Sequence, residues 1–161
     1  MVDVLMESWG STRMATRGRL VDLRGARGFV AESDSGPDWL GYANYEIEGS
    51  AMEIVALESL AQGQGVASAL LAACVSVARE ANLERLWLIS TNDNVDAVRY
   101  YQRRGFVLVA VHRDAVTLAR RDLKPEIGLI GEHGIPIRDE IELELPLAIW
   151  DEFIERYSWP S

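Results

Sequence analysis

Cysteine is almost missing from this chain of 161 residues: Cys74 stands alone, so no internal disulfide can form. It lies in an apolar run that wants a small buried side chain, which reads as core. Long hydrophobic runs are missing too. The least charged stretch, 60–78, carries Gln62, Gly63, Gln64, Gly65, Ser68 and Ser76, too polar for a membrane span. The first residues, MVDVLMESWG, lack the basic start and long apolar centre of a signal peptide. Basic residues are outnumbered, 16 Lys+Arg against 25 Asp+Glu for a net charge of −9, which argues against a general binder of nucleic-acid backbone. His112 and His133 are far apart and lack Cys/Asp spacing, so no metal site is expected. Five prolines and 13 glycines are ordinary usage and exclude collagen-like or wholly disordered chains. No repeat or linker divides the sequence. What remains is one soluble, cytoplasmic domain over 1–161, without a nucleic-acid or membrane partner.

Charge is distributed unevenly. Residues 79–121 carry 8 basic and 5 acidic groups, whereas 122–161 carry 3 and 10. A basic middle fits either a local anionic ligand or a solvated helix face.

The spacing predicts a helix over 2–8 stopped by Trp9-Gly10 and a second short helical piece over 19–23. Strands follow over 28–32, 39–48 and 52–58, with a turn over 34–38 and a hairpin at Gly49-Ser50. Residues 66–81 form the clearest helix, with small or apolar residues at 67, 70, 71, 74, 75 and 78. The apolar strand over 86–91 is expected to be covered on both faces. Asn94 caps a short helix over 95–104 that Gly105 ends, and a strand runs over 106–111. Residues 112–140 read as a long mixed connection, and 141–147 alternate strictly, as a final strand with one solvated face. In the tail, 148–161, Ile149, Trp150, Phe153, Ile154 and Tyr157 share a helical face that either covers the domain's own sheet or makes a homodimer contact. This order defines an α/β layered domain with a mixed central sheet flanked by helices.

The most informative segment is Gln62-Gly63-Gln64-Gly65-Val66-Ala67, between a strand and an amphipathic helix. Glycines let backbone approach a ligand closely, and the helix start offers unpaired N–H groups and the positive dipole end. Together these suit a phosphate or pyrophosphate, and a tight strand-to-helix turn is the plainer alternative. A P-loop would need Gly-Lys-Ser/Thr, and no lysine follows. A dinucleotide fingerprint fails at Ser68 and would open the fold instead of following three strands.

Gln62-x-x-Gly65-x-Ala67 resembles the (Arg/Gln)-x-x-Gly-x-(Gly/Ala) signature of the GNAT superfamily of acetyl-CoA-dependent N-acetyltransferases. Asn94-x-x-Ala97-Val98-x-x-Tyr101 followed by Arg103-Arg104-Gly105-Phe106 is similar to the second block of that family. The resemblance covers roughly 28–112, and it is closest to small bacterial members with a GIPIRDEIELEL-like ending, here 134–145. It implies the GNAT fold, acetyl-CoA as cosubstrate, and direct acetyl transfer to a primary amine in a ternary complex. A CoA-binding sensor without turnover, and an enzyme using a longer acyl-CoA, are the alternatives.

Residue by residue, the resemblance implies that backbone N–H groups of Gly63, Gln64, Gly65, Val66 and Ala67, with Ser68 and Gln62 nearby, hold the CoA pyrophosphate. Val55 and Leu57 would pair with the pantetheine arm, with the Leu57 N–H polarising the thioester carbonyl. Asn94 would bond pantetheine or fix its own loop, and Tyr101 would protonate the departing thiolate. An attacking amine must lose a proton. Glu53 is preferred for this because it shares strand parity with Val55 and Leu57, whereas Glu58 points the other way; both also read as ordinary surface carboxylates. Tyr101 likewise reads as a half-buried aromatic of its helix. The family's opening strand is not evident, so either 12–17 replace it or the sheet is one strand short. The acceptor, a small molecule or a protein amine, is left open. Trp9, Ser11 and Arg13 lie where the family lines its acceptor pocket. Arg113, Lys124, His133 and Arg138 either face an anionic acceptor or staple the 113–140 connection to neighbouring acids.

Overall fold

The structure, a computed structural model, describes residues 11–34 and 39–157. The helix read over 2–8, the Trp9-Gly10 stop and, beyond Asp34, the turn read over 34–38 lie outside these residues. The strands are β1 (Arg13–Thr16), β2 (Arg19–Asp22), β3 (Arg27–Glu32), β4 (Trp39–Glu48), β5 (Ala51–Ser59), β6 (Arg85–Thr91), β7 (Val107–His112) and β8 (Glu140–Pro146). The helices are α1 (Val66–Glu80), α2 (Val95–Gln102), α3 (Ala115–Asp122) and α4 (Trp150–Tyr157). Strands β3 to β8 make a mixed six-stranded sheet in the order β3-β4-β5-β6-β8-β7, and β1 and β2 make a separate hairpin. Two compact units divide the chain, one of Leu23–Leu86 with Pro146–Ser161, the other of Met1–Asp22 with Trp87–Leu145. Among the described residues no helix is long and apolar enough to cross a membrane.

In the first unit β3, β4 and β5 form an antiparallel meander. The β4–β5 hairpin closes over Gly49-Ser50, where Gly49 takes φ 58, a left-handed conformation suited to a two-residue turn. Helix α1 packs on this meander with Val66, Ser68, Leu70, Leu71, Cys74, Val75 and Ala78 buried, against the expected stripe that began at residue 67. Gly41 permits the close seat: a Cβ there would lie 2.5 Å from the Glu58 carbonyl oxygen and 2.8 Å from Val66 Cγ1. Asn82, at φ 52, ends α1, and the Leu83 N–H donates back to the Ala78 carbonyl at 2.9 Å. Helix α4 is tied to α1 by Arg79, whose guanidinium donates to both carboxylate oxygens of Asp151 at 2.9 and 2.7 Å. Trp150 is buried there and Ile149 is exposed, so the tail's apolar face is narrower than the spacing suggests.

The second unit departs from expectation in four places. Residues 19–23 are not helical: β2 pairs with β1 through a turn in which Arg17 and Gly18 take φ 47 and 73. That double left-handed turn fits a hairpin twist and overrides the weak helical spacing. Residues 12–17 thus supply a strand, but to this hairpin. Strand β6 buries Leu86, Leu88 and Ser90 while the alternate residues stay half-exposed, so it is not covered on both faces as expected. The 112–140 connection contains α3, whose eight polar-rich residues show no side-chain cap. Finally, β8 does not present all its glutamates to solvent: Glu140 and Glu142 are buried at 3% and 7% exposure, and only Glu144 is half-exposed.

The Gly41 contact gives a direct check. Gly41→Ala is expected to lower stability by about 1–3 kcal/mol, because the added carbon meets backbone and a helix side chain that must both shift. Urea unfolding should show the loss as a lower midpoint at unchanged slope.

Candidate active site

The site begins at the end of β5. Leu60 and Ala61 donate their N–H groups to the Leu40 carbonyl at 2.8 and 3.2 Å, and the Ser59 hydroxyl donates to the Ala61 carbonyl at 3.0 Å. The chain is therefore fixed before Gln62, Gly63, Gln64 and Gly65, all of them exposed, carry it into α1. Gly63 and Gly65 take φ 76 and 75, and a Cβ built on either would meet nothing within 4 Å. These glycines are required by backbone handedness, and the ground beside them is open. No side chain caps α1, no acidic residue stands in its first turn, and the Ala69 N–H to Gly65 carbonyl bond (3.0 Å) opens the helical ladder. The first-turn N–H groups ahead of Ala69 thus stand outside the ladder at the positive dipole end, which suits an anion.

Strand β5 corrects one expectation. Tyr45 pairs with Ile54 and Asn44 with Ala56, so Val55 is an extra residue, a bulge. The bulge reverses parity along the strand. Glu53, opposite Glu46, shares its face with Glu58, opposite Tyr42, and Leu57 points the other way. The parity that favoured Glu53 over Glu58 is therefore overturned. Glu53 is buried at 3% exposure, and Glu58 accepts the Tyr42 hydroxyl at 2.7 Å.

In the second unit, Asn94 Oδ1 accepts the Ala97 N–H at 2.9 Å as the N-cap of α2. Of its two readings, the loop-fixing one has this bond behind it. Tyr101 is buried, its ring 5.2 Å from those of Phe106 and Tyr100. Tyr100 is held differently, with the Arg104 guanidinium 3.6 Å over its ring centroid. Gly105 at φ 88 turns the chain from α2 towards β7.

The basic residues of the connection are not brought together. Lys124 Nζ donates to the Arg13 carbonyl at 2.9 Å, and burial pulls its pKa down. Arg138 donates to Asp139, with distances of 2.8–3.0 Å, and that bond, followed by the Asp114 N–H, holds the Asp139 carboxyl below the usual range. His133 lies 3.2 Å from Asp96, and Arg113 is exposed. Ser11 accepts the Arg13 N–H at 3.1 Å, and Trp9 lies outside the described residues. Asp96, Glu132 and His133 place ligand atoms within 4.8 Å of one another, a surface cluster that separation along the chain hides. Asn92 is the residue sequence reasoning missed. Its Oδ1 accepts the Arg138 and Asp139 N–H groups at 2.8 and 2.9 Å, and its Nδ2 donates to the Pro136 carbonyl at 2.9 Å. The polar run Asn92-Asp93-Asn94 was the available signal.

The chain that carries these elements is similar to known proteins. The model of the acetyltransferase (GNAT) family matches residues 2–106. The protein YdhI of Bacillus subtilis (strain 168) is 40% identical over 141 residues, 88% of this chain and 87% of YdhI. The IAA acetyltransferase of Bacillus cereus ATCC 14579 matches with a TM-score of 0.62 at 25% identity, covering 74% of this chain and 78% of that one. A GNAT family acetyltransferase from Elizabethkingia anophelis, solved with acetyl-CoA bound, matches with a TM-score of 0.65 at 21% identity, covering 77% and 78%. The chain belongs to the GNAT acetyltransferase family, as its two sequence blocks suggested.

Burial pushes the Cys74 thiol up to about 12, and its side chain is fully enclosed. Ellman's reagent at about pH 8 is expected to find no reactive thiol in the native chain and one after unfolding. Rapid native labelling would contradict this placement.

Proposed function

We propose that this protein is a single-domain N-acetyltransferase that moves the acetyl group of acetyl-CoA directly onto a primary amine. The observation that carries the reading is the exposed, left-handed Gly63–Gly65 loop feeding the uncapped start of α1. Such a start binds phosphate oxygens through N–H groups and dipole, so Gln62, Gly63, Gln64, Gly65, Val66, Ala67 and Ser68 take the pyrophosphate. Acetyl-CoA as cosubstrate is supported by the family and by the Elizabethkingia neighbour solved with it.

The chemistry asks little of side chains. The neutral amine attacks the thioester carbon, and the C–S bond breaks as the tetrahedral intermediate collapses. Val55–Leu57 pairs with the pantetheine arm, and the Leu57 N–H stabilises the developing oxyanion. The bulge at Val55 supports this role, since a bulged segment has ladder groups to spare. Asn94 fixes its own loop as the cap of α2, Tyr101 gives its proton to the CoA thiolate, and a carboxylate or a water chain takes the proton the amine must lose. The buried thiol of Cys74 gives no support to a covalent acetyl-cysteine route.

Two outcomes are expected. Gly65→Asp should abolish acetyl-CoA binding while Gly65→Asn, equally able to adopt the left-handed turn, retains part of it. Thermal unfolding reads this: at 100 times its dissociation constant the ligand adds about 2.7 kcal/mol, and no shift in the wild type would refute the cofactor assignment. Tyr101→Phe should lower kcat by about 100-fold with CoA affinity retained, and Tyr100→Phe should do much less. A larger loss for Tyr100→Phe would exchange their roles; absence of CoA release with any amine, despite binding, would favour a sensor.

A further inference from the structure

The connection between β7 and β8 carries an imidazole to the start of α2. Residues 129–137 form a small hairpin, in which the Gly131 N–H donates to the Ile135 carbonyl at 2.9 Å and the Ile137 N–H to the Leu129 carbonyl at 3.0 Å. Arg120 braces its base, donating to the Ile127, Gly128 and Ile137 carbonyls at 2.7–2.9 Å. His133 sits at the tip in a left-handed conformation, φ 54. Its Nε2 lies 3.2 Å from Oδ2 of Asp96, in the first turn of α2. Glu132 completes a set in which one ligand atom from each of the three residues lies within 4.8 Å of the others.

A bond between Asp96 and His133 accounts for two of these side chains, and a second observation asks for more. Under the loop lies Asp93, only 5% exposed: its Oδ2 accepts the Glu132 N–H at 3.0 Å, and its Oδ1 has no hydrogen-bond partner. A Cβ on Gly131 would collide with this carboxylate, so the loop rests directly on it. A buried carboxylate with one oxygen unmatched is costly, and positive charge nearby offsets that cost. The one guanidinium paired with the cluster is Arg99, whose Nη2 meets Asp96 Oδ1 at 2.9 Å. That pair is exposed and worth little, and it leaves Asp96 Oδ2 on the side of His133.

We propose that Asp96, Glu132 and His133 bind one divalent transition-metal ion of the zinc class, with Asp93 seating the loop from below. Two atoms each about 2.0 Å from a tetrahedral ion are about 3.3 Å apart. The 3.2 Å between His133 Nε2 and Asp96 Oδ2 already matches that edge. The imidazole selects the ion, because carboxylates alone suit Mg²⁺ or Ca²⁺ whereas a nitrogen ligand favours Zn²⁺. Three protein ligands leave the fourth position to water. The reading reverses the expectation drawn from histidine spacing, since Asp96 and His133 are 37 residues apart in the chain. It goes beyond the acetyl-transfer reading and does not rest on it, and every ligand lies in the second unit.

The test is calorimetric titration of ZnCl₂ into the full, untagged chain without acetyl-CoA, with MgCl₂ as the hard-ion control. One Zn²⁺ per chain is expected to bind, with Mg²⁺ at least about tenfold weaker. Loss of an outer-shell partner alone costs about 10- to 100-fold in metal affinity, so loss of a ligand should cost at least about tenfold. His133→Asn, which keeps the left-handed turn, and Glu132→Gln should each show that loss. Both side chains are exposed, so both variants are expected to fold. Glu126→Gln, at an exposed glutamate outside the cluster, should bind zinc as the wild type does. No zinc binding to the wild type, Mg²⁺ bound as tightly as Zn²⁺, undiminished affinity in His133→Asn or Glu132→Gln, or an equal loss in Glu126→Gln would each overturn the proposal. Because acetyl-CoA is absent, none of these results depends on the glycine loop.

Discussion

The left-handed turn at Gly65 is the constraint on which the proposed cofactor seat depends. Strand β5 must stop, reverse direction and become a helix within a few residues, and two glycines at positive φ accomplish this. The turn is held from behind, by the Leu40 carbonyl receiving two N–H groups, and from above, by Val66 resting where Gly41 has no side chain. With both ends fixed, the N–H groups of the first turn are aimed by the fold and need no ordering when a ligand arrives. Preorganised backbone donors of this kind lose little entropy on binding.

The second unit is organised by charge instead. Glu142 gathers Arg17 and His112, and Asp139 gathers Arg138 and the Asp114 N–H. Asn92 then pins the chain before β8 through three bonds. Acidic residues that seem surplus in composition thus serve as internal anchors for the connection between β7 and β8.

Most of the first unit was legible because local signals agreed there. Alternation marks β4 and β5, glycine marks the hairpin and the loop, and a 3.6-residue stripe marks α1. The glycine block and the Asn94–Tyr101 block carry the family resemblance in the sequence itself. Where local and non-local forces disagreed, the reading failed. The bulge at Val55 leaves no mark in composition, yet it turns Glu53 away from the face of Leu57. The β1–β2 hairpin was hidden because Arg17 occupies a left-handed position usually betrayed by Asn or Gly. Helix α3 was hidden because it is short and polar-rich.

The sequence by itself determined the family, through its two motif blocks, and the layered fold and strand-to-helix turn, through periodicity and glycine placement along a few contiguous residues. Only the tertiary structure decided which way Glu53 faces and that Glu140 and Glu142 are interior. It alone brought Arg17 and His112, nearly a hundred residues apart, to one carboxylate. The reason is physical. A side chain's face depends on every pairing irregularity before it, and a buried charge depends on partners that chain separation does not reveal.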